Sequence, residues 1–189
     1  NVTFNGEAIF TDVEITGSGS VTFNDVTSGT ATFNTTTGSA IYNAVNQFVF
    51  GGQYGNLTIV GDHTISHAIN VAGLATLNNG KITATEGGEL NFAGTTAGDA
   101  TILMNEYGKV SYSDKALTVF GGEYSTLIID GAHELTRDIV IHKELELTSE
   151  VISGTANITI NGVTKGDATF AMTGGAVTYA GEEDQSIYG

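Results

Sequence analysis

The chain reads FGGQYGNLTIVGDH from Phe50 to His63, and 70 residues later it reads FGGEYSTLIIDGAH from Phe120 to His133. Both stretches begin with Phe and a glycine pair, continue through Tyr, Leu, Ile and Gly, and end with His. An internal repeat with such a long period is typical of solenoids, whose units stack only on their neighbours. The repeat therefore predicts a solenoid.

A second phrase recurs three times, as GTATF at residues 29–33, GDATI at 98–102 and GDATF at 166–170. Each occurrence is followed by a short apolar segment that ends in Tyr, at Tyr42, Tyr112 and Tyr179. We interpret residues 1–189 as one domain of three copies, about 1–55, 56–125 and 126–189. Copy one is shorter by about fourteen residues, which correspond to residues 78–92, and a solenoid tolerates such a loss.

Short bursts of alternating apolar and polar residues, such as 57–59 and 158–160, indicate β-strands with one buried face. Glycine pairs and Asn-Gly dipeptides lie between them and predict sharp turns. Strands of three to five residues suit the sides of a coil better than a sandwich. The predicted fold is an all-β, right-handed β-solenoid of about 8–9 coils, each of some 20–25 residues, with three coils per copy and almost no helix.

The predicted core consists of inward-facing apolar positions. They are Leu57, Ile59, Leu77, Phe92, Ile102, Tyr112, Leu127, Ile129, Ile160 and Phe170. Residues 138–150 resemble a helix more than any other segment, but two strands at 139–141 and 145–147 suit their pattern better. With a spacing of ~4.8 Å between stacked strands, the coils would form a rod about 40 Å long.

Composition excludes several classes of protein and site. The 189 residues include no Cys, so the chain has no disulfide framework and no thiolate metal site. A net charge of −15 argues against a nucleic-acid partner, because phosphate backbones are bound by clustered Lys and Arg. No apolar run reaches the length of about 18 residues that a membrane-spanning segment needs.

The sequence contains no pattern that predicts catalysis, a cofactor or a metal ion. Asp99 and Asp167 occupy equivalent repeat positions, as do His63 and His133, and such repetition favours structural turns over chemistry. No Gly-x-Ser-x-Gly nucleophile or phosphate-binding glycine motif is present. We therefore predict that the protein is not an enzyme. Ice binding is also disfavoured, because no strict Thr-x-Thr array persists along the chain.

A phrase of the form Tyr-x-x-Leu-x-Ile-x-Gly occurs from Tyr54 to Gly61 and from Tyr124 to Gly131, and the second occurrence follows a Val-x-Tyr segment ending at Tyr112. With these features the chain resembles the repeat units of secreted bacterial β-helical surface proteins of the autotransporter-passenger and filamentous-adhesin type. The resemblance covers most of copies two and three. It implies an extracellular, elongated, non-enzymatic protein and identifies no binding residue.

The two ends of the chain are in phase with the repeat. Residues 1–6 match 56–61, residues 187–189 match 119–121, and neither end has a helix or a polar capping unit. We expect uncapped ends, and a head-to-tail contact that does not close generates a filament. The predicted assembly interface consists of Asn1, Val2, Thr3, Phe4, Ile187, Tyr188 and Gly189. The protein's partner would then be a further copy of itself.

Two alternatives remain open. The same phase match is expected if the chain is a segment of a longer surface adhesin or passenger. In that case function would lie on the sides of the rod, where cell-surface or glycan ligands would bind. The best candidate for a lateral site is Asn105-Glu106-Tyr107, which breaks the symmetry of the repeat.

Overall fold

The computed structural model describes residues 1–113, 115, 118–148, 151–182 and 185–188. These residues form twenty β-strands and contain no helix. The strands are β1 Val2–Phe4, β2 Ala8–Thr16, β3 Ser20–Phe23, β4 Thr27–Tyr42, β5 Gly52–Val60, β6 His63–Ile65, β7 Ala68–Val71, β8 Ala75–Asn78, β9 Lys81–Ala84, β10 Glu89–Phe92, β11 Thr96–Gly98, β12 Thr101–Tyr112, β13 Gly122–Asp130, β14 His133–Leu135, β15 Ile139–Thr148, β16 Val151–Gly154, β17 Ile158–Ile160, β18 Val163–Gly166, β19 Thr169–Met172 and β20 Val177–Tyr179. The predicted all-β class is confirmed.

All strand pairs among the described residues are parallel, and most strands pair with strands of both the preceding and the following coil, as in a β-solenoid of about nine turns. Each coil visits three faces in the same order. The first face includes residues 2–4, 21–23, 40–42, 57–59, 75–77, 96–98, 133–135, 152–154 and 170–172. The second face includes 8–11, 27–30, 63–65, 82–84, 102–104, 122–124, 139–141, 158–160 and 177–179. The third face includes 13–16, 31–35, 52–54, 69–71, 90–92, 110–112, 127–129, 145–147 and 164–166.

The coils are shorter than predicted. Residues paired between adjacent strands lie 17 to 21 positions apart, against the expected 20–25. The corners contain fewer residues than expected, because several strands bend from one face to the next without a separate loop. One example is β15, which replaces the two predicted strands at 139–141 and 145–147 with one strand that turns at His142 and Lys143.

The core fills the narrow space between the three faces. All predicted core residues except Phe170 are buried, and most are fully buried. Phe170 lies on the last coil and is only partly buried, because no further coil among the described residues covers it. Burial of apolar area is the main stabilising contribution in such a core.

The sequence repeat and the coil do not have the same period. Phe33 lies on the third face, its equivalent Ile102 on the second, and Phe170 on the first. The 70-residue copy therefore spans three and two-thirds coils, and each copy is turned by one face about the axis. The prediction of three coils per copy was wrong, because coils of 17 to 21 residues do not divide the repeat evenly.

Candidate functional site: the two open ends of the solenoid

The first coil presents an open edge and an apolar surface. Among the described residues, β1 pairs only with β3, and β2 pairs only with β4, so their outer edges carry unpaired backbone groups. The inward-facing side chains of this coil are incompletely covered, and Val2 is 52% exposed. We call these residues the head surface: Val2, Phe4, Phe10, Val13 and Ile15.

The predicted interface residues of the head lie within or beside this surface. The ring of Phe4 stacks on Phe23 of the second coil at a centroid distance of 5.4 Å and meets Phe10 edge-on at 5.7 Å. The Oδ1 atom of Asn1 accepts a hydrogen bond from the backbone N–H of Ser20 at 3.0 Å. Thr3 alternates with these inward positions and is exposed. The first coil is therefore ordered by contacts to the second.

The last coil presents the opposite edge. Within the described ranges, β19 pairs only with β16, and β20 pairs only with β17. Four inward-facing side chains of this coil are partly buried and pack on the core below them. We call them the tail surface: Phe170, Met172, Val177 and Tyr179.

The predicted interface residues of the tail have different surroundings. Ile187 is 76% exposed, whereas Tyr188 is buried and donates its hydroxyl hydrogen to the carbonyl of Lys165. Partial burial raises the pKa of Tyr188 to about 12. Gly189 lies outside the described residues. The side chain of Tyr188 therefore belongs to the core, and Ile187 projects into solvent.

A buried ring of three hydrogen bonds marks the end of copy one. The backbone N–H of Phe50 donates to the hydroxyl of Tyr42 at 3.4 Å, and the Tyr54 hydroxyl donates to the Phe50 carbonyl. The two hydroxyl oxygens lie 3.2 Å apart, so Tyr42 donates to Tyr54. Copy two repeats the ring with Tyr112, Phe120 and Tyr124. Burial raises the pKa of all four tyrosines well above the ordinary value.

Copy three contains the same arrangement in part. The N–H of Tyr188 donates to the hydroxyl of Tyr179 at 3.0 Å, as Phe50 does to Tyr42. No described residue occupies the position of Tyr54 in this copy. Among the described residues, copy three therefore contains only part of the cluster that is closed in the other two copies.

The sequence analysis named Val2 and Phe4 on the first coil but did not predict most of the other residues of the two end surfaces. Neither Phe10 nor Val13 of the head surface was predicted, and of the tail surface Phe170 was predicted only as core. The signal was available, because inward positions of a terminal coil have no neighbour on one side. Recognising them requires the coil period rather than the repeat period.

The lateral candidate forms a raised corner. Residues 105–108 interrupt the pairing of β12 with β13, and Tyr107 is 42% exposed there. The Lys143 Nζ donates to the Glu106 carbonyl at 2.7 Å and lies 5.7 Å from the centre of the Tyr107 ring. The Glu106 carboxylate raises the pKa of Tyr107. Lys143 therefore covers part of this aromatic surface.

The repeated histidines and aspartates have structural partners. His63 and His133 are buried, and the Nε2 atom of each lies 3.1 Å from the backbone carbonyl three residues earlier. Asp99 accepts a hydrogen bond from the N–H of Asn79 at 2.8 Å. Among the residues that the structure describes, no group of three or more His, Asp or Glu side chains is placed to hold a metal ion, and no helix is long and apolar enough to cross a membrane.

Comparison with known proteins gives no family assignment. No protein-family model, no curated protein and no solved structure matches this chain.

Proposed function

We propose that this protein is a structural subunit of an extracellular filament and assembles head to tail. The last coil of one subunit would be followed by the first coil of the next, so that the parallel ladder continues. The observation that carries the proposal is the position of β20. Its two repeat equivalents, 40–42 and 110–112, each pair with a strand of the next coil, whereas the outer edge of β20 is open among the described residues.

The strand that would pair with β20 is β1. Residues 40–42 pair with 57–59, and residues 1–6 match 56–61 in sequence. In the same register, Val2 lies beside Val177, and Phe4 lies beside Tyr179, as Ile59 lies beside Tyr42. Because these strands are on different faces, each subunit would be turned by one face relative to its neighbour.

Burial of apolar surface would stabilise this contact. The head surface and the tail surface both consist of apolar side chains, and contact between them would remove both from water. The contact lacks an equivalent of residues 52–54, which supply the third side chain of the aromatic cluster in copy one. It would therefore be weaker than a boundary between internal coils, and assembly would depend on protein concentration.

Charge would oppose assembly at low ionic strength. Glu7, Asp12 and Glu14 lie on the first coil, Glu182 lies near the last, and the net charge is −15. Repulsion between like charges is screened over about 10 Å at 0.1 M salt. Assembly should thus increase with salt. The extracellular location rests on the resemblance to secreted β-helical surface proteins.

Electron microscopy of the purified chain tests the proposal, over a range of concentrations and salt. The expected result is unbranched fibres with an axial repeat of about 50 Å, because the strands from β1 to β20 occupy ten stacked levels at ~4.8 Å each and the next subunit begins on the level after them. Short rods that remain monomeric under every condition would overturn it. Detection of the protein outside the cells that produce it tests the location separately.

A lateral binding module is the second candidate function, and the raised corner at Tyr107 favours it. The exposed ring of Tyr107 offers an apolar face and a polar hydroxyl, which suit contact with a sugar ring or a protein surface. Replacement of Tyr107 by Ala should then abolish attachment to cells or glycans and leave the fold unchanged. Unchanged attachment would exclude this corner as the binding site.

A further inference from the structure

A groove of about 420 Å³ runs along one corner of the solenoid, between the second and third faces, and extends from copy one into the start of copy two. We call it the acidic groove. Asp12 and Glu14 line it on the first coil, Thr30 on the second, Phe48 on the third and His67 on the fourth. It lies on the side of the rod and shares Val13 with the head surface.

Copy two contains the equivalent corner, built on the same backbone. Asp12 and Asn79 have similar positive φ angles of 52° and 57°. The N–H of Asp12 is bound by Thr30 Oγ1 at 2.8 Å, and the N–H of Asn79 by Asp99 Oδ1 at 2.8 Å. By the same alignment His67 is equivalent to Arg137, which lies 70 residues later.

The equivalent corner, which extends from copy two into the start of copy three, is occupied by an arginine side chain. The Nη2 atom of Arg137 donates to the carbonyl of Gly98 at 2.9 Å, and its Nη1 atom is buried. Gly98 is the repeat equivalent of Gly29, which lines the acidic groove. The equivalent corner therefore has room for an arginine side chain, and its backbone accepts a hydrogen bond from the guanidinium.

The acidic groove lacks that arginine and carries the charge that would attract one. The shorter His67 turns toward Ser66 and Phe48, with its ring 5.7 Å from that of Phe48. Where copy two has Asn79 and Lys81, copy one has Asp12 and Glu14, since Glu14 pairs with Thr32 as Lys81 pairs with Thr101. Two neutral or basic side chains are therefore replaced by two carboxylates. The prediction that copy one lacks the equivalents of residues 78–92 was therefore wrong for this part of the stretch.

We propose that the acidic groove binds an arginine side chain of a partner protein, in the position that Arg137 occupies at the equivalent corner. A guanidinium fits better than an ammonium, because its planar fork donates several hydrogen bonds in fixed directions and stacks on rings such as Phe48. Hydrogen bonds between a guanidinium and carboxylates are also stronger than neutral ones. Arg137 is the single arginine among residues 1–189 and is already bound to Gly98, so it is not the occupant.

Titration of the ¹⁵N-labelled protein with two short peptides tests the proposal. One is acetyl-Gly-Arg-Gly-amide, and the other carries citrulline, which has nearly the same shape without the charge. The arginine peptide should shift the amide signals of Gly29, Thr30 and His67. It should also bind at least about tenfold more tightly than the citrulline peptide. Equal binding of the citrulline peptide, or no saturable shift up to about 10 mM, would overturn the proposal.

Two substitutions at one position provide the matched control. His67→Arg should fill the groove from within the chain and abolish peptide binding, whereas His67→Ala should leave the groove open and retain it. Asp12→Asn combined with Glu14→Gln should weaken binding about tenfold or more. Peptide binding that persists in the correctly folded His67→Arg variant would show that the peptide binds elsewhere, and the assignment would be wrong.

Discussion

The hydroxyl oxygens of Tyr112 and Tyr124 lie 3.3 Å apart in the core, and the Tyr124 hydroxyl donates to the carbonyl of Phe120. Replacing Tyr124 by Phe removes the acceptor of Tyr112 and the donor to Phe120. Two buried polar groups lose a partner, so we expect the free energy of unfolding to fall by about 1–3 kcal/mol. Urea denaturation followed by circular dichroism measures this change.

The control for that variant is Tyr107→Phe, which removes the same hydroxyl from an exposed ring. Its effect should remain within about 0.5 kcal/mol. A similar loss of stability in both variants would show that the buried ring of hydrogen bonds makes no special contribution.

Gly122 begins β13 with a φ of +129°, and a Cβ atom there would lie 1.9 Å from the backbone carbonyl oxygen of Ile102. Replacing Gly122 by Ala should therefore strain the corner and lower the free energy of unfolding by about 1–3 kcal/mol or more. Gly6 is the matched control, because a Cβ atom at that position meets nothing within 4 Å. Thermal unfolding distinguishes the two, and equal melting temperatures would contradict the prediction.

The fold could be predicted because the alternation of residues such as Leu57 and Ile59 repeats over the whole chain. Phe170 shows the limit of that argument, since its burial depends on whether a coil covers it. The rotation of the copies could not be predicted, because a Gly corner looks the same in sequence whichever face follows it. The acidic groove could not be predicted either. It is lined by residues that are far apart in sequence, such as Asp12 and His67, and its similarity to the corner at Arg137 depends on the fold.

The position of Val2 and Phe4 on the first coil could be predicted from the sequence, whereas the surroundings of Tyr188 could not. Phase matching directed attention to Val2 and Phe4, which do lie at the open edge of the first coil. Phase matching also predicted Tyr188 as an interface residue, but its side chain is packed in the core. Tyr188 lies near the end of the given sequence but not on the surface, because its side chain points inward and is enclosed by the last coil.

The buried tyrosines predict a loss of stability at alkaline pH. Burial raises the pKa of Tyr42, Tyr54, Tyr112 and Tyr124, so the folded state keeps their protons after the unfolded state has lost them. Their contribution is fully present below the unfolded pKa of about 10 and decreases as the pH rises above it, by up to about 1.4 kcal/mol per pH unit for each group. Urea denaturation between pH 8 and pH 11 measures it. A constant stability over that range would contradict the burial of these hydroxyls.

Salt should promote filament growth. Both ends carry carboxylates, so screening lowers the repulsion between the head of one subunit and the tail of another. Light scattering should show a lower critical concentration at about 0.5 M than at about 0.02 M sodium chloride, where the screening length falls severalfold. A critical concentration that rises with salt would indicate an interface held by opposite charges, in conflict with the proposed contact.

Filament growth should depend on Val2, which is 52% exposed on the head surface. In the filament it would lie beside Val177 of the preceding subunit. Replacing Val2 by Glu would require an uncompensated charge to be buried at the contact, and we expect the critical concentration to rise at least tenfold. Val45→Glu is the matched control, because Val45 is 59% exposed on a side corner and should assemble normally. Both variants should retain the circular dichroism spectrum of the parent, and sedimentation of fibres gives the critical concentration. If Val2→Glu assembles as well as Val45→Glu, the first coil does not form the interface, and the head-to-tail arrangement is wrong.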